Sequence, residues 1–105
     1  MSVPIEQIQL TLVRSWEDAE RFRSWLGERR EFLAVDVETT GLNAGLDRIR
    51  LCQFGDAAQG WAFDYKDWRG LCKETIESYD RPMVAHSLLF DSKMLRADGI
   101  TIPQR

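Results

Sequence analysis

The stretch FLAVDVETTGL, residues 32–42, limits the fold more than any other part of this chain. A short apolar run ends in Asp36 and Glu38, and Thr39, Thr40 and Gly41 break it at once. That pattern predicts a strand closed by a turn. Successive strand side chains point to opposite faces, so Leu33, Val35 and Val37 share one face. Phe32, Ala34, Asp36 and Glu38 share the other. Both faces are apolar up to the strand's end, which predicts burial in the middle of a sheet. At that end two carboxylates project side by side, roughly 7 Å apart along the strand. Their like charges repel, and a divalent cation held between them removes the penalty. Hard cations such as Mg²⁺ take oxygen ligands of this kind.

With 105 residues the chain has room for one domain and a small core. Its net charge of −3 supplies no overall basic field, which argues against a non-specific coat protein for nucleic acid. An enzyme that grips one strand end through metals is not excluded. Cys52 and Cys72 lie on different predicted elements and neither belongs to a CxxC pair. The expectation is two buried thiols in a reducing compartment. No apolar run approaches a membrane span, and residues 1–12 lack a signal-peptide pattern. These features predict a cytoplasmic protein without membrane partners.

Residues 8–13 alternate imperfectly and suit a short edge strand. Ser15 then caps a helix, with Glu17 and Asp18 in its first turn. Ala19, Phe22, Trp25 and Leu26 fall on one helical face, and Arg29 and Arg30 suit the carboxyl end of its dipole. After the 32–42 stretch, residues 43–47 form a loop, and residues 48–55 and 61–65 read as two strands of a hairpin. The short links predict an antiparallel meander of three strands. Asp67 is placed to cap the next helix, whose inner face is Trp68, Leu71, Cys72, Ile76 and Tyr79. Residues 83–86 form a short strand that arrives by a helical crossover and should run parallel to the 32–42 strand. Ser87 caps a last helix over residues 88–98, stopped by Gly99. The sum is one α/β domain with a mixed sheet, a meander plus a parallel strand, flanked by helices. Its last strand stays an uncovered edge, so the fold reads as C-terminally incomplete.

Asp91 is the third acid of interest. If the last strand lies parallel beside the first, Asp91 enters the space above Glu38, and Asp36, Glu38 and Asp91 converge at one end of the sheet. Ligands of open α/β sheets bind beyond the carboxyl ends of the strands. Each acid also has a plain reading: a solvated strand end for Asp36 or Glu38, and a dipole-favoured acid of a first helical turn for Asp91. His86, the sole histidine, is either a general base or a hydrogen-bonded strand-end residue. The four tryptophans read as core and sheet cover, with base stacking by Trp61 as the functional alternative.

Residues 36–42, DVETTGL, resemble the first motif of the DEDD superfamily of 3′–5′ exonucleases, and residues 85–91, AHSLLFD, resemble its second. LCQF at 51–54 followed by WAFD at 61–64 is similar to the branch holding the proofreading domain of DNA polymerase I and ribonuclease D. Phage polymerases of the polymerase I type look nearest. The resemblance spans residues 13–102 and implies a ribonuclease H-like fold. It implies metal-dependent hydrolysis at single-stranded DNA 3′ ends, in a proofreading role, with two divalent cations, Mg²⁺ or Mn²⁺, clamping the scissile phosphate. Asp36, Glu38 and Asp91 would be the catalytic and metal-binding residues. Thr39, Thr40, Gly41, Leu42, Ser87 and Phe90 would contact the terminal nucleotide or position the site, with Leu42 as an apolar wedge and Phe90 aiming Asp91.

Two departures stand out. Ser87 occupies a position that is usually Asn. The third motif, with a fourth carboxylate and a Tyr or His that orients water, has no counterpart; neither Tyr79 nor Asp98 has the right spacing. The chain therefore reads as the N-terminal portion of an exonuclease domain that continues into a polymerase or longer nuclease. The alternatives are a catalytically silent module that binds nucleic acid or a partner, and a ribonuclease D-like enzyme acting on RNA 3′ ends.

Overall fold

A computed structural model describes residues 9–28, 30–85 and 87–103. The elements run β1 Gln9–Val13, α1 Trp16–Leu26, β2 Leu33–Thr39, β3 Ile49–Gly55, β4 Gln59–Asp64, α2 Tyr65–Ser78, β5 Met83–Val84 and α3 Leu88–Ala97. The expected meander is present: β2 pairs with β3 and β3 with β4, both antiparallel. The parallel strand is present too, β5 against β2, and β1 adds a second parallel edge against β4. The sheet order is β1-β4-β3-β2-β5. β5 is an edge, as its position in the sequence predicts.

Local chemistry explains most element ends. The Ser15 hydroxyl accepts the Asp18 N–H at 3.1 Å and starts α1. Arg30 lies beyond the helix, yet its guanidinium donates to the carbonyls of Trp25 and Leu26 and covers the Trp25 ring at 4.0 Å. It adds a cationic donor to the carbonyls of the last turn, so its expected role at that end holds. Arg29 lies outside the described residues. The β3–β4 turn is pinned by Asp56, whose carboxylate accepts the N–H groups of Ala58 and Gln59. Gly99 ends α3 at φ +83°, a conformation that costs a residue with a Cβ. Two expected caps differ. α2 begins one turn early, with Asp64 at the cap position and Asp67 in the first turn. Ser87 stands at the cap of α3 with no side-chain capping bond.

One core joins the inner side of the sheet to the helices. Phe22 of α1 is its hub: its ring meets Trp25, Phe54, Trp61 and Phe63 with centroids 4.8 to 5.9 Å apart. Leu71, Cys72 and Ile76 of α2 and Tyr79 just past its end are buried and Trp68 packs against this core, so the predicted inner face is the observed one. Met94 and Leu95 of α3 complete the layer. Cys52 and Cys72 are both buried free thiols, as expected. Their mutual hydrogen bond and burial push the Cys52 thiol well above its usual range. Trp61 is buried, so no ring face is open for base stacking. Trp16 departs from the core expectation; it is 75% exposed and leans edge-on against Trp68 at 5.1 Å.

The burial of β2 on both faces is not observed. Leu33, Val35 and Val37 are buried, whereas Asp36 and Glu38 are exposed, and Phe32 beside them is 43% exposed. Leu10, Leu12 and Val84 are exposed too. The physical reason lies in the layering: the buried side chains of α1, α2 and α3 belong to the same core as Leu33, Val35 and Val37.

Candidate active site

β2 carries Asp36 and Glu38 two residues apart on its exposed side. The Gln53 amide on the neighbouring strand donates to one Glu38 oxygen at 3.0 Å, which orients that carboxylate. Asp36 is paired with Gln53 in the ladder, and Glu38 with Leu51. Beyond Glu38 the register shifts, so that Thr39 meets Ile49 and β3 carries one extra residue, Arg50. A bulge of this kind bends the strand and re-aims a side chain.

Residues 40–48 fold into a loop organised by Asp47. Its carboxylate accepts the Thr40 hydroxyl at 3.0 Å and the Asn43 N–H at 2.9 Å. The Arg48 N–H donates to the Thr40 hydroxyl oxygen, and the Thr40 N–H donates to the Arg48 carbonyl. The Thr39 hydroxyl donates to the Gly41 carbonyl at 2.6 Å. Both threonine hydroxyls are thus engaged inside the loop. Gly41 is required by close approach: a Cβ there would lie 2.5 Å from the Asp47 carboxylate. Leu42 projects from this loop at 86% exposure, and Leu46 is similarly exposed. Leu42 and Phe90 line one hollow with Asn43, Ala44, Asp47 and Lys93. The expected wedge, Leu42, and the residue expected to aim Asp91, Phe90, therefore share a surface.

Asp91 sits in the first turn of α3, as expected, and is 2% exposed. The Asp36 and Asp91 charges both reach the Cys52 thiol and reinforce its neutral state, after the larger effects of Cys72 and burial. Among the described residues, no three His, Cys, Asp or Glu side chains are grouped to hold a metal ion. Asp36 and Glu38 share the exposed side of β2, and Asp91 is buried in the first turn of α3. Ser87 is exposed beside it. His86 lies outside the described residues. Sequence reasoning missed Asp47, Gln53 and Arg50. The two turn residues around Asp47 and the polar Gln53 in an apolar strand were the available signals.

A mixed five-stranded sheet, a parallel strand beside the acid-bearing one, and a helix that follows it with a third acid together define the class. The chain has the mixed α/β fold of solved exonuclease domains. It is 34% identical over 99 residues to the DNA polymerase of Mycobacterium phage D29, covering 89% of this chain and 16% of the phage protein. The chain thus spans about a sixth of that relative's length. Among solved structures it resembles the catalytic core of RRP6 from Trypanosoma brucei, with TM-score 0.73 and 22% identity over 96% of this chain and 29% of that one. It also resembles Brucella melitensis NrnC with bound Mg²⁺, with TM-score 0.61 and 18% identity over 93% of this chain and 46% of that one. No family model matches the chain. Among the described residues, no helix is long and apolar enough to cross a membrane.

Proposed function

We propose that this chain is the N-terminal portion of a metal-dependent 3′–5′ exonuclease domain that hydrolyses phosphodiester bonds at DNA 3′ ends, in a proofreading role. The observation that carries the reading is the pair Asp36 and Glu38, held by one strand on the exposed side of the sheet next to the Leu42 loop. Similarity to a phage DNA polymerase favours DNA and a longer parent protein.

The donor chemistry fits hard divalent cations, since the pair offers only carboxylate oxygens. One Glu38 oxygen is engaged by Gln53 and the other remains for a ligand. Mg²⁺ bound to NrnC supports the same choice of ion here. When bound, such ions supply a more acidic water and positive charge at the departing 3′ oxygen. The chain's own share is placement. Asp36 and Glu38 present fixed negative charge at the strand's end. The Asp47-braced loop presents the exposed Leu42, which would wedge against the terminal base. Phe90 packs against the core and shares the hollow with Leu42. Asp91 would join the pair from the helix side, and a further carboxylate and a water-orienting residue would come from the parent protein.

In the full-length protein, release of mononucleotides from a 3′-labelled single strand in Mg²⁺ or Mn²⁺ tests the reading. Asp36→Ala should abolish it, and undiminished release would overturn it. DNA and RNA strands run in parallel decide the substrate. The burial of Asp91 favours one rival, a catalytically silent module that binds a nucleic-acid end. Absence of Mn²⁺ binding by calorimetry in the full-length protein would select that rival.

A further inference from the structure

Resting on the exonuclease reading, we propose that a cavity under the 40–48 loop is a phosphate subsite, in which Arg48, Arg50 and Lys66 hold a phosphodiester of the substrate strand. The cavity measures about 600 Å³ and lies at the same end of the sheet as Glu38. Its walls are the loop, the start of β3, the start of α2 and the end of α3. Leu51, which lines it, is the ladder partner of Glu38. Adjacent strands lie about 5 Å apart, so the Leu51 backbone at the cavity wall is one strand away from Glu38.

Its charges do not cancel. Three acids line it, Asp47, Asp64 and Asp98. Asp47 is committed to Thr40 and the Asn43 N–H. Asp98 is committed to the Tyr65 hydroxyl and to Arg69. Asp64 is the third. Against them stand Arg48, Arg50 and Lys66, none of which has an ion pair among the described residues. The partners of Asp47 are neutral and leave its charge in place. Among the described residues, three cations without an ion pair therefore face two carboxylates without one, Asp47 and Asp64, and the cavity keeps a net positive charge.

The fold has a specific device for placing one of them. The register shift after Glu38 makes Arg50 the extra residue of β3, which lets Ile49 return to the core while Arg50 turns out to solvent and into the cavity rim. Buried Ile49 and Met94 form an apolar floor that weakens screening of the charges above. Guanidinium forks match phosphate oxygens in shape and charge. A strand end entering the field of Asp36 and Glu38 is repelled by them, and cations one strand away offset that repulsion for the next phosphate along.

The test is anisotropy of a labelled single-stranded 12-mer bound to the full-length protein in EDTA, titrated with salt. Hydrolysis and metal contacts are then absent. Each single-strand phosphate contact contributes about 0.7 to the slope of log affinity against log salt. The triple variant R48A/R50A/K66A should lower that slope by about 2 and weaken binding at least ten-fold. The charge-preserving R48K/R50K/K66R should restore most of both, and Arg23→Ala on the α1 surface should change neither. A deoxynucleoside monophosphate that competes for the same cations identifies a terminal phosphate as the occupant; failure to compete identifies an internucleotide phosphate. An unchanged slope in the triple alanine variant overturns the inference. So does a loss that the charge-preserving variant fails to repair, or that Arg23→Ala reproduces. Binding through the three cations without nucleotide release keeps this subsite and removes the exonuclease reading. Nucleotide release with an unaltered slope does the reverse.

Discussion

The two faces of β2 alternate residue by residue and live in different surroundings. Leu33, Val35 and Val37 are buried with the aromatic cluster around Phe22, while Asp36 and Glu38 stand in solvent and Ala34 is half-buried. The same seven-residue strand thus packs the core on one side and presents the proposed catalytic carboxylates on the other. The lesson is that the carboxylates are expensive to bury and need not be: the inner face supplies the core without them.

Substitutions that respect this division should separate the two properties. The largest effect belongs to Phe22→Ala. It removes a ring in contact with four others and should cost about 3–5 kcal/mol, read from the urea midpoint. Val37→Ala, on the same inner face, should cost about 2 kcal/mol. Nucleotide release per folded molecule should stay within a few-fold of wild type. Gly41→Ala sharpens the boundary between the faces. The added methyl collides with the Asp47 carboxylate, so stability should fall by about 1 kcal/mol. Release should drop by an order of magnitude or more as the Leu42 loop shifts.

A smaller effect is expected at the latch between α2 and α3. Tyr65 donates to Asp98, which Arg69 also holds. Burial and the Asp98 hydrogen bond raise the Tyr65 hydroxyl above its ordinary range. Partial burial of Asp98 opposes ionisation, but the Tyr65 and Arg69 bonds outweigh it and lower its carboxyl. A raised tyrosine contributes stability that is complete below its unfolded pKa near 10 and lost as pH climbs through the folded value. A depressed aspartate contributes stability that is present above its unfolded pKa near 4 and lost as pH falls through the folded value. Tyr65→Phe should therefore remove the alkaline decline and shrink the acid one. Near neutrality it should cost about 1 kcal/mol, a modest figure because Asp98 is half in solvent. Denaturation midpoints between pH 3 and 11 measure this.

Much of the fold is legible because its signals are local. The apolar run of β2, the Ser15 cap, the α2 face and the Gly99 stop each depend on a few neighbouring residues. The open face of β2 is not legible, because Phe32 and Ala34 look like core partners until the placement of three helices is known. Nor is the α2 start: Asp64 and Asp67 are equally good cap residues on paper, and the continuation of β4 directly into the helix decides between them. At the site, the placement of Asp36 and Glu38 on one side of β2 and of Asp91 in the first turn of α3 follows from spacing. The commitment of Thr40 to the loop does not, since it depends on Asp47 folding back across seven residues. Arg50 is invisible for a similar reason: a bulge is a mismatch between two strands, and neither strand alone reveals it.

The smallest effect on stability and the largest on activity should coincide at one residue. Asp36→Asn keeps the shape of an exposed side chain and should shift stability by less than about 0.5 kcal/mol. Metal-dependent release of mononucleotides from a 3′-labelled strand, measured for this variant beside Val37→Ala in the full-length protein, tests the account most directly. The account predicts no release by Asp36→Asn and near-normal release per folded molecule by Val37→Ala. Sustained release by Asp36→Asn, with its stability unchanged, would contradict it.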